Sequence, residues 1–274
     1  MTDSTFDLVP PPGIDLEFGG LRLRVRPREE FVFYATFVAG EYDPLKMRRG
    51  DLVLDAGANI GDFTIRASNR VGQEGTVIAV EPNPRLLPYL AWNLKVNRCR
   101  NVKLLTCAVG RPGKVVLIET PDGGSVGSTT ARQGPGVEVV SRSIDEIFSS
   151  LDLPAPDILK MDIEGAETEA LAGFHGLSRV RELAVELHGP HNLRAVPQIL
   201  QKHHEIWYHS AAEVWIRSFE NTLTHPLDFA IAELKSGFVA TRGLAAIALG
   251  SKHPVPSVQS NDVALVYGRR RRTT

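Results

Sequence analysis

Short apolar segments alternate with segments of helical spacing through the middle of the chain, and this alternation constrains the fold most. Five apolar runs are predicted to be strands, over residues 51–55, 76–80, 102–106, 157–161 and 180–187. Helices are predicted over residues 60–70, 84–97, 166–172 and 193–202. Buried strands that alternate with helices form βαβ units with right-handed crossovers. We therefore expect an α/β fold in which helices cover both faces of a mostly parallel sheet.

Two regions interrupt this alternation at its ends. Residues 1–45 precede the first parallel strand and are predicted to form an N-terminal cover, with a strand over 21–25 and a helix over 29–37. Residues 210–260 are less regular and precede a late strand, predicted over 262–267. Both regions are therefore expected to be additions to the alternating core rather than repeats of it.

A third interruption is rich in glycine and proline. Its strand-like pieces at 115–118 and 137–140 indicate an antiparallel excursion from the sheet, with a turn-rich tip at 121–127. The expected organisation is one main domain with two insertions and a basic tail, over residues 46–268, about 110–142, about 210–260 and 269–274.

Charge and cysteine content exclude several classes of protein. The 31 Lys and Arg residues nearly balance 32 Asp and Glu residues, and this net charge of −1 argues against a basic nucleic-acid-binding module or a polybasic membrane-surface protein. Cys99 and Cys107 form no Cys-x-x-Cys pair, which argues against a disulfide framework or a cysteine zinc site. No signal-peptide pattern is present, and no apolar stretch approaches the roughly 18 residues of a membrane span. We therefore expect a cytoplasmic protein that does not cross a membrane.

The loop after the first predicted strand carries the pattern Asp55-x-Gly57-x-Asn59-x-Gly61. The two glycines permit a tight turn and a close approach of backbone to a ligand, and the next helix begins with free N–H groups. The pattern differs from the dinucleotide-binding G-x-G-x-x-G loop because a carboxylate ends the strand. A carboxylate is unfavourable beside a pyrophosphate but suits a cation. S-adenosylmethionine, which carries an ammonium group and a sulfonium, is therefore the expected cofactor; a plain strand-turn-helix capped by Asp55 is the alternative.

The next two strand ends complete the predicted cofactor site. Glu81 ends the second strand, where an acidic residue can bind the two ribose hydroxyls of an adenosine. A carboxylate there disfavours a 2′-phosphate and so argues against NADP. Cys107 and Ala108 end the third strand, and their small side chains leave room for an adenine ring. Cys107 is predicted to be pocket wall rather than a nucleophile, because no histidine lies close to it in sequence.

A second group of charged residues follows the fourth and fifth predicted strands. Lys160, Asp162 and Glu164 alternate, which places them on one side while the strand lasts. Glu186 and His188 have the same spacing at the end of the fifth strand. The ligand crevice of a parallel sheet opens at these strand ends, so we expect a functional cluster there. An exposed strand end with a Lys–carboxylate pair is the alternative interpretation.

Seven short motifs occur in a fixed order along the chain. They are Glu41-Tyr42, Leu54-Asp-Ala-Gly-Ala-Asn-Ile-Gly61, Val80-Glu-Pro-Asn-Pro84, Asn93-x-x-x-Asn97, Ala108-Val-Gly110, Ile158-Leu-Lys-Met-Asp-Ile-Glu-Gly-Ala-Glu167 and Glu186-x-His188. In this order they resemble the FkbM family of S-adenosylmethionine-dependent methyltransferases. The resemblance implies a Rossmann-like class I methyltransferase fold, with a seven-stranded sheet whose last strand is antiparallel. It also implies methyl transfer, usually to a hydroxyl oxygen.

The resemblance further implies roles for individual residues. The glycine loop would hold the methionine part of the cofactor, and Glu81 would bind its ribose. Asp162 would lie close to the amino group and the methyl, and Tyr42 would close over the cofactor. The residues expected to contact the cofactor are Tyr42, Asp55, Gly57, Asn59, Gly61, Phe63, Glu81, Asn83, Cys107, Ala108 and Asp162.

Methyl transfer from a sulfonium is an in-line displacement, so the acceptor must be aligned with the methyl carbon. A hydroxyl acceptor also benefits from a base near its proton. His188 or Asp162 is the expected base, with Lys160 or Glu164 orienting it. In a metal-assisted alternative, Asp162, Glu164, Glu186 and His188 would bind Mg²⁺, which would orient and acidify the hydroxyl.

The expected acceptor is a hydroxyl of a small molecule or glycan, and two other functions compete with this prediction. The first is an RNA methyltransferase, because the stretch with Asn93 and Asn97 also resembles tRNA methyltransferases and the arginines at 269–272 could contact phosphate. The near-zero net charge argues against it. The second is a non-catalytic protein that binds the cofactor on the same fold. Retention of the whole set of crevice residues argues against that alternative.

Overall fold

The computed structural model describes residues 9–27, 29–118, 129–131, 136–237 and 263–271. Within them the strands are β1 (Ile14–Phe18), β2 (Leu21–Val25), β3 (Leu52–Ala56), β4 (Thr76–Val80), β5 (Val102–Leu105), β6 (Ala108–Val109), β7 (Gly113–Ile118), β8 (Thr129–Ala131), β9 (Val137–Arg142), β10 (Ile158–Met161), β11 (Glu182–His188), β12 (His204–Tyr208) and β13 (Val263–Arg270). The α-helices are α1 (Phe31–Phe33), α2 (Asp62–Val71), α3 (Leu87–Val96), α4 (Ile144–Ser150), α5 (Glu167–Ala172), α6 (Gly189–Leu200), α7 (Ala211–Thr224) and α8 (Pro226–Ser236).

The main sheet has seven strands in the order β12-β13-β11-β10-β3-β4-β5. Strands β11, β10, β3, β4 and β5 run parallel to one another, and β13 is antiparallel to both of its neighbours, β11 and β12. The predicted α/β fold is therefore confirmed, including the antiparallel last strand. The carboxyl ends of β3, β4, β10 and β11 meet at one edge of this sheet, where the crevice of a parallel sheet opens.

Successive residues of each central strand pack against different layers of helices. Leu54 of β3 belongs to the apolar cluster that contains Phe148 of α4 and Leu200 of α6. Val53, one residue earlier, belongs to the cluster on the other side, which contains Phe63 of α2. This alternation is the period of two of a strand that is covered on both faces. It explains why these strands are continuous apolar runs in the sequence.

The excursion after β5 is a second sheet of four strands, in the order β6-β9-β7-β8. Strand β7 pairs antiparallel with β8 and β9, as the strand-like pieces at 115–118 and 137–140 predict. The predicted turn-rich tip at 121–127 lies outside the described residues. Leu117 of β7 is buried, which brings this sheet against the main domain.

The N-terminal cover is a hairpin followed by a short helix. Strand β2 is the predicted strand, and it pairs with β1, which the sequence did not indicate. The helix predicted over 29–37 is shorter and continues differently: α1 is followed by a π-helical segment, Tyr34–Val38. The cover is pinned to the main domain by Asn93 of α3, which bonds both the N–H and the carbonyl of Arg24.

The C-terminal region differs from its prediction in two respects. The part of residues 210–260 that the structure describes is helical rather than irregular, because α7 begins with a capping box of Ser210 and Glu213 and α8 begins with a proline. The basic tail predicted from residue 269 is in part a strand, because β13 extends to Arg270. Arg269 forms an ion pair with Glu182 of β11 at 3.1 Å. None of the described helices is long and apolar enough to cross a membrane.

Candidate active site

A cleft opens at the carboxyl ends of β3, β4 and β10, with about 590 Å³ of empty space when the part open to solvent is counted. Polar residues from three strand ends line one part of it, and apolar residues line the rest. The lining residues are Gly57, Asn59, Val80, Glu81, Pro82, Leu86, Cys107, Ala108, Val109, Leu117, Asp162, Ile163 and Glu164.

The glycine loop after β3 is held tightly between its neighbours. Gly57 and Ala58 both donate their N–H groups to the Val80 carbonyl at the end of β4, at 2.9 Å. Gly57 has φ +77°, and a Cβ at this position would lie 1.7 Å from the Asp162 carbonyl oxygen. Only glycine fits such a close approach in the left-handed region. Gly61, with φ +91°, precedes the first residue of α2 and does not line the cleft.

Asp55 and Lys160 lie beneath the loop instead of facing the cleft. They are opposite each other in the pairing of β3 and β10, and Lys160 Nζ lies 3.2 Å from Asp55 Oδ1. Lys160 also donates to the Gly57 carbonyl, and Thr64 donates to Asp55. Burial raises the pKa of Asp55, although the charge of Lys160 opposes this shift. Burial alone would lower the pKa of Lys160, but the neighbouring carboxylates outweigh it and hold this pKa above its ordinary value. Both residues therefore support the loop and do not line the cleft, and their roles as cofactor ligand and catalytic group stay predictions.

Glu81, the predicted ribose ligand, lines the cleft. Its two carboxylate oxygens accept the N–H groups of Asn59 and Asn83, both at 2.8 Å, so the side chain is fixed at the end of β4. Burial raises the pKa of Glu81 to about 7, although these two hydrogen bonds oppose the shift. The Asn83 side chain accepts from the Arg85 N–H and does not line the cleft. Asn83 therefore acts on the cleft through the position of Glu81.

The apolar part of the cleft is formed around Cys107 and Ala108, as predicted. Burial raises the pKa of the Cys107 thiol, which keeps it protonated and agrees with a role as pocket wall. Leu117 of β7 and Leu86 before α3 complete this wall. These two leucines were not predicted from the sequence. For Leu117, nothing in the local pattern indicates that the four-stranded sheet returns to the cleft.

Tyr42 and Phe63 are core residues and do not line the cleft. Their rings pack edge to face with centroids 4.9 Å apart, and both side chains are buried. Lys160 Nζ lies 5.9 Å from the centre of the Tyr42 ring. Tyr42 therefore packs in the core beside Lys160, and its closure over the cofactor stays a prediction.

His188, at the end of β11, is surrounded by carboxylates. Its Nδ1 lies 2.8 Å from Glu167 Oε1, and its Nε2 lies 3.8 Å from Asp162 Oδ1, 3.4 Å from Glu164 Oε2 and 3.7 Å from Glu186 Oε1. Burial alone would lower the pKa of His188, but these carboxylates outweigh it and raise the pKa to about 10. An imidazole with this pKa is protonated at neutral pH, which is unfavourable for the base role predicted from the sequence.

Glu186 of this cluster and one further carboxylate, Glu41, are both buried. Burial raises the pKa of Glu186, and the charges of Asp162 and Glu41 raise it further. Burial and the charge of Asp162 raise the pKa of Glu41 to about 8. Glu41 comes from the N-terminal cover, and its backbone carbonyl accepts a hydrogen bond from the Tyr267 hydroxyl at 2.7 Å. Glu167 and Glu41 were missed as site residues, although both stand within the motifs quoted above.

The cleft and the carboxylate cluster share Asp162 and Glu164. Asp162 and Glu164 line the cleft and also face His188, so the two sites are continuous. Across the sheet, Glu81 marks one end of this continuous site on β4 and His188 marks the other on β11. A ligand that enters the cleft beside Glu81 therefore extends toward a region rich in negative charge.

A family model described as "Methyltransferase FkbM domain" matches residues 55–217, which is more than half of the 274 residues. Among characterised relatives, the hexuronic acid methyltransferase AglP of Haloferax volcanii is 25% identical over 169 residues, which cover 60% of this chain and 69% of the relative. Methyltransferase sdnD of Sordaria araneosa is 27% identical over 205 residues, which cover 62% of this chain and 78% of that protein.

Solved structures to which the chain is similar include the methyltransferase FkbM of Methylobacillus flagellatus KT. It is 23% identical, with a TM-score of 0.45, and the match covers 65% of this chain and 44% of that one. A second is the O-methyltransferase TM0748 of Thermotoga maritima, which is 19% identical with a TM-score of 0.37 over 68% of this chain and 55% of that one.

Proposed function

The chain belongs to the FkbM methyltransferase family and is an S-adenosylmethionine-dependent enzyme, and on this premise we propose that it methylates a hydroxyl oxygen of a small molecule or glycan. One observation carries the proposal: a cleft with a ribose-type carboxylate at one end continues into a cluster of carboxylates at the other. The first end suits the adenosine of the cofactor, and the second suits an acceptor that must lose a proton.

The cofactor is proposed to lie across the ends of β4, β3 and β10. Glu81 accepts hydrogen bonds from the two ribose hydroxyls, and the wall around Cys107 and Ala108 holds the adenine ring. The methionine part passes Gly57 and Asn59, so that its ammonium group lies near Asp162. Because the cofactor carries positive charge on nitrogen and sulfur, the excess of carboxylates in this part of the cleft favours its binding.

The acceptor is proposed to enter from the side of His188. The new bond forms between the acceptor oxygen and the methyl carbon as the carbon–sulfur bond breaks, and the hydroxyl proton passes to a carboxylate of the cluster. Positioning in line with the methyl supplies much of the rate, and proton removal contributes about 10²–10⁴-fold. Glu167 holds the His188 ring through Nδ1, which fixes the edge that the acceptor meets.

The charge of the cluster restricts the acceptor. Asp162, Glu164 and Glu186 lie around one histidine, so an anionic group at the reacting end of the acceptor is disfavoured. A neutral sugar or polyol hydroxyl satisfies this requirement. The relative AglP is named for a hexuronic acid, which supports a sugar acceptor. In such a sugar the carboxylate would lie away from the hydroxyl that receives the methyl group.

The test is methyl transfer from labelled cofactor to a panel of neutral sugars, uronic acids and RNA, with the product assigned by NMR. We expect a methyl ether on a hydroxyl. Asp162→Asn is expected to lose at least about 100-fold in kcat, whereas the control Asp152→Asn, in an exposed turn, is expected to retain full activity. Labelled RNA without labelled sugar would overturn the proposal in favour of an RNA methyltransferase. Full activity of Asp162→Asn would exclude Asp162 from the acceptor site.

A further inference from the structure

Asp162, Glu164 and His188 bring three potential metal-ligand atoms together beside the cleft. One ligand atom from each residue lies within 4.8 Å of the other two. His188 Nε2 is 3.4 Å from Glu164 Oε2 and 3.8 Å from Asp162 Oδ1. In an octahedral Mg²⁺ site with bonds of about 2.1 Å, adjacent ligand atoms are about 3.0 Å apart and opposite ones about 4.2 Å. Both separations from Nε2 lie between these two values.

The orientation of His188 also fits metal ligation. A carboxylate only accepts hydrogen bonds, so the bond between Glu167 Oε1 and His188 Nδ1, at 2.8 Å, places the proton on Nδ1. Nε2 faces Asp162 and Glu164, and a metal ion bound between them would displace the Nε2 proton and take its lone pair. Glu167 is itself fixed, because it is fully buried and accepts from Gly165 N and Asn192 Nδ2. Such a carboxylate–histidine pair commonly orients an imidazole toward a metal ion.

Glu41 gives an independent indication that a cation is bound here. Its side chain is 4% exposed, and its Oε1 has no hydrogen-bond partner among the described residues. The charges that act most on it are those of Asp162 and Asp62, and it also acts on Glu186. The charge of Lys160 also acts on Glu41, but Lys160 is already bonded to Asp55 and Gly57. A buried carboxylate stays ionised only where it is paired with a cation or coordinates a metal ion, and otherwise takes up a proton.

We propose that Asp162, Glu164 and His188 bind one divalent cation of the Mg²⁺ or Mn²⁺ type. The two carboxylates, with no thiolate among the ligands, suit these hard cations, and the imidazole adds one nitrogen ligand. Glu41 and Glu186 interact electrostatically with Asp162, and a bound cation would favour their ionised forms. Three protein ligands leave coordination positions open, and those positions face the cleft because Asp162 and Glu164 line it.

The catalytic role of this cation rests on the proposed function, whereas its binding does not. A divalent cation lowers the pKa of a hydroxyl that it binds and fixes the position of the oxygen. The proton of the acceptor then passes to Glu186, whose Oε1 lies 3.7 Å from His188 Nε2 and which is not one of the three ligands. The cation also offsets the negative charge that would otherwise disfavour an anionic sugar.

The test measures Mn²⁺ binding to the full chain without cofactor, by electron paramagnetic resonance and titration calorimetry. We expect one saturable site per chain, from which Mg²⁺ displaces Mn²⁺. Asp162→Asn and His188→Asn are expected to abolish it, and Glu167→Gln to weaken it by about 10–100-fold by releasing the imidazole. The matched control is His203→Asn, an exposed histidine outside the site, which is expected to bind Mn²⁺ as the unsubstituted chain does. Circular dichroism establishes that each variant is folded.

Two results would overturn the metal site: no saturable Mn²⁺ binding by the folded unsubstituted chain, or equal binding by folded Asp162→Asn and His188→Asn. The proposed function fails separately. If the chain forms a methyl ether in the presence of chelator and does not bind Mn²⁺, the metal site is excluded and the proposed hydroxyl acceptor is retained. If the chain binds Mn²⁺ but transfers methyl groups only to RNA, the metal site is retained and the proposed small-molecule or glycan acceptor is excluded.

Discussion

Substitution of Gly57 by alanine tests whether the close contact between the glycine loop and the β10 strand end controls activity. Gly57 has φ +77°, and a Cβ there would lie 1.7 Å from the carbonyl oxygen of Asp162. Such contacts do not occur below 3.0 Å, so Gly57→Ala must move the loop and Asp162 apart by at least 1.3 Å. The loop carries Asn59, whose N–H holds Glu81, and the shift therefore reaches both ends of the cofactor cleft.

Two effects of this substitution have to be separated. An alanine in the left-handed region costs about 1–2 kcal/mol of folding free energy wherever it occurs. A displacement of about 1 Å in a catalytic site costs about 100-fold in rate. Gly20 provides the control, because it has the same φ of +77° in the turn between β1 and β2, and a Cβ there meets no atom of the described residues within 4 Å. Gly20→Ala therefore carries the backbone cost without the displacement.

The assays are urea unfolding, calorimetric binding of S-adenosylhomocysteine, and methyl transfer. We expect Gly20→Ala to lose about 1–2 kcal/mol of folding free energy and to retain full activity. Gly57→Ala is expected to lose at least as much stability, to bind the cofactor product more weakly, and to lose about 100-fold in kcat/KM. If folded Gly57→Ala turns over at the rate of Gly20→Ala, the close contact with Asp162 has no part in catalysis and the reasoning fails.

Three further predictions concern single residues. Burial places the pKa of Glu81 at about 7, and binding of the ribose requires the carboxylate form, so cofactor affinity is expected to fall as the pH drops below about 7. Calorimetry of Glu81→Gln between pH 5.5 and 8.5 should show weaker binding that does not depend on pH. A pH dependence in that variant would contradict the assignment. Lys160→Met leaves Asp55 buried without its counter-charge and is expected to cost about 3–5 kcal/mol in urea unfolding, which the double variant with Asp55→Asn should partly restore. Asn93→Ala removes bonds to Arg24 and Ile60 and is expected to cost about 1–3 kcal/mol; an unchanged midpoint would mean that the N-terminal cover is held by its apolar contacts alone.

The order of the central strands and helices was predictable because each buried strand is an apolar run between turn signals. Strand β12 was missed because it is a short strand at the edge of the sheet, and its sequence, His-Glu-Ile-Trp-Tyr, mixes polar and apolar residues. Helices α4 and α7 did carry a signal, since both begin with a serine followed three residues later by glutamate. Their capping boxes would have predicted them without any knowledge of the fold.

The candidate site was predictable in its residue types but not in the direction of each side chain. Asp55 and Lys160 are correctly identified as charged residues at adjacent strand ends, but their pairing depends on the register of β3 with β10, which a single sequence does not contain. The alternation that joins Lys160 to Asp162 and Glu164 ends with the strand at Met161. Beyond that point the backbone turns, with φ +54° at Glu164, so Lys160 lies below the loop and the two carboxylates lie in the cleft.

This difference in direction explains how one cluster of charges can both stabilise the fold and bind a cationic ligand. Lys160 neutralises Asp55 where both are fully enclosed, and that pair leaves no net charge for a ligand. The carboxylates of Asp162, Glu164 and Glu186 face a single histidine, and Glu41 acts on Glu186, so negative charge is concentrated beside the cleft. A residue from the N-terminal cover contributes to that charge. Removal of the cover should therefore weaken cation and cofactor binding even where the main sheet stays folded.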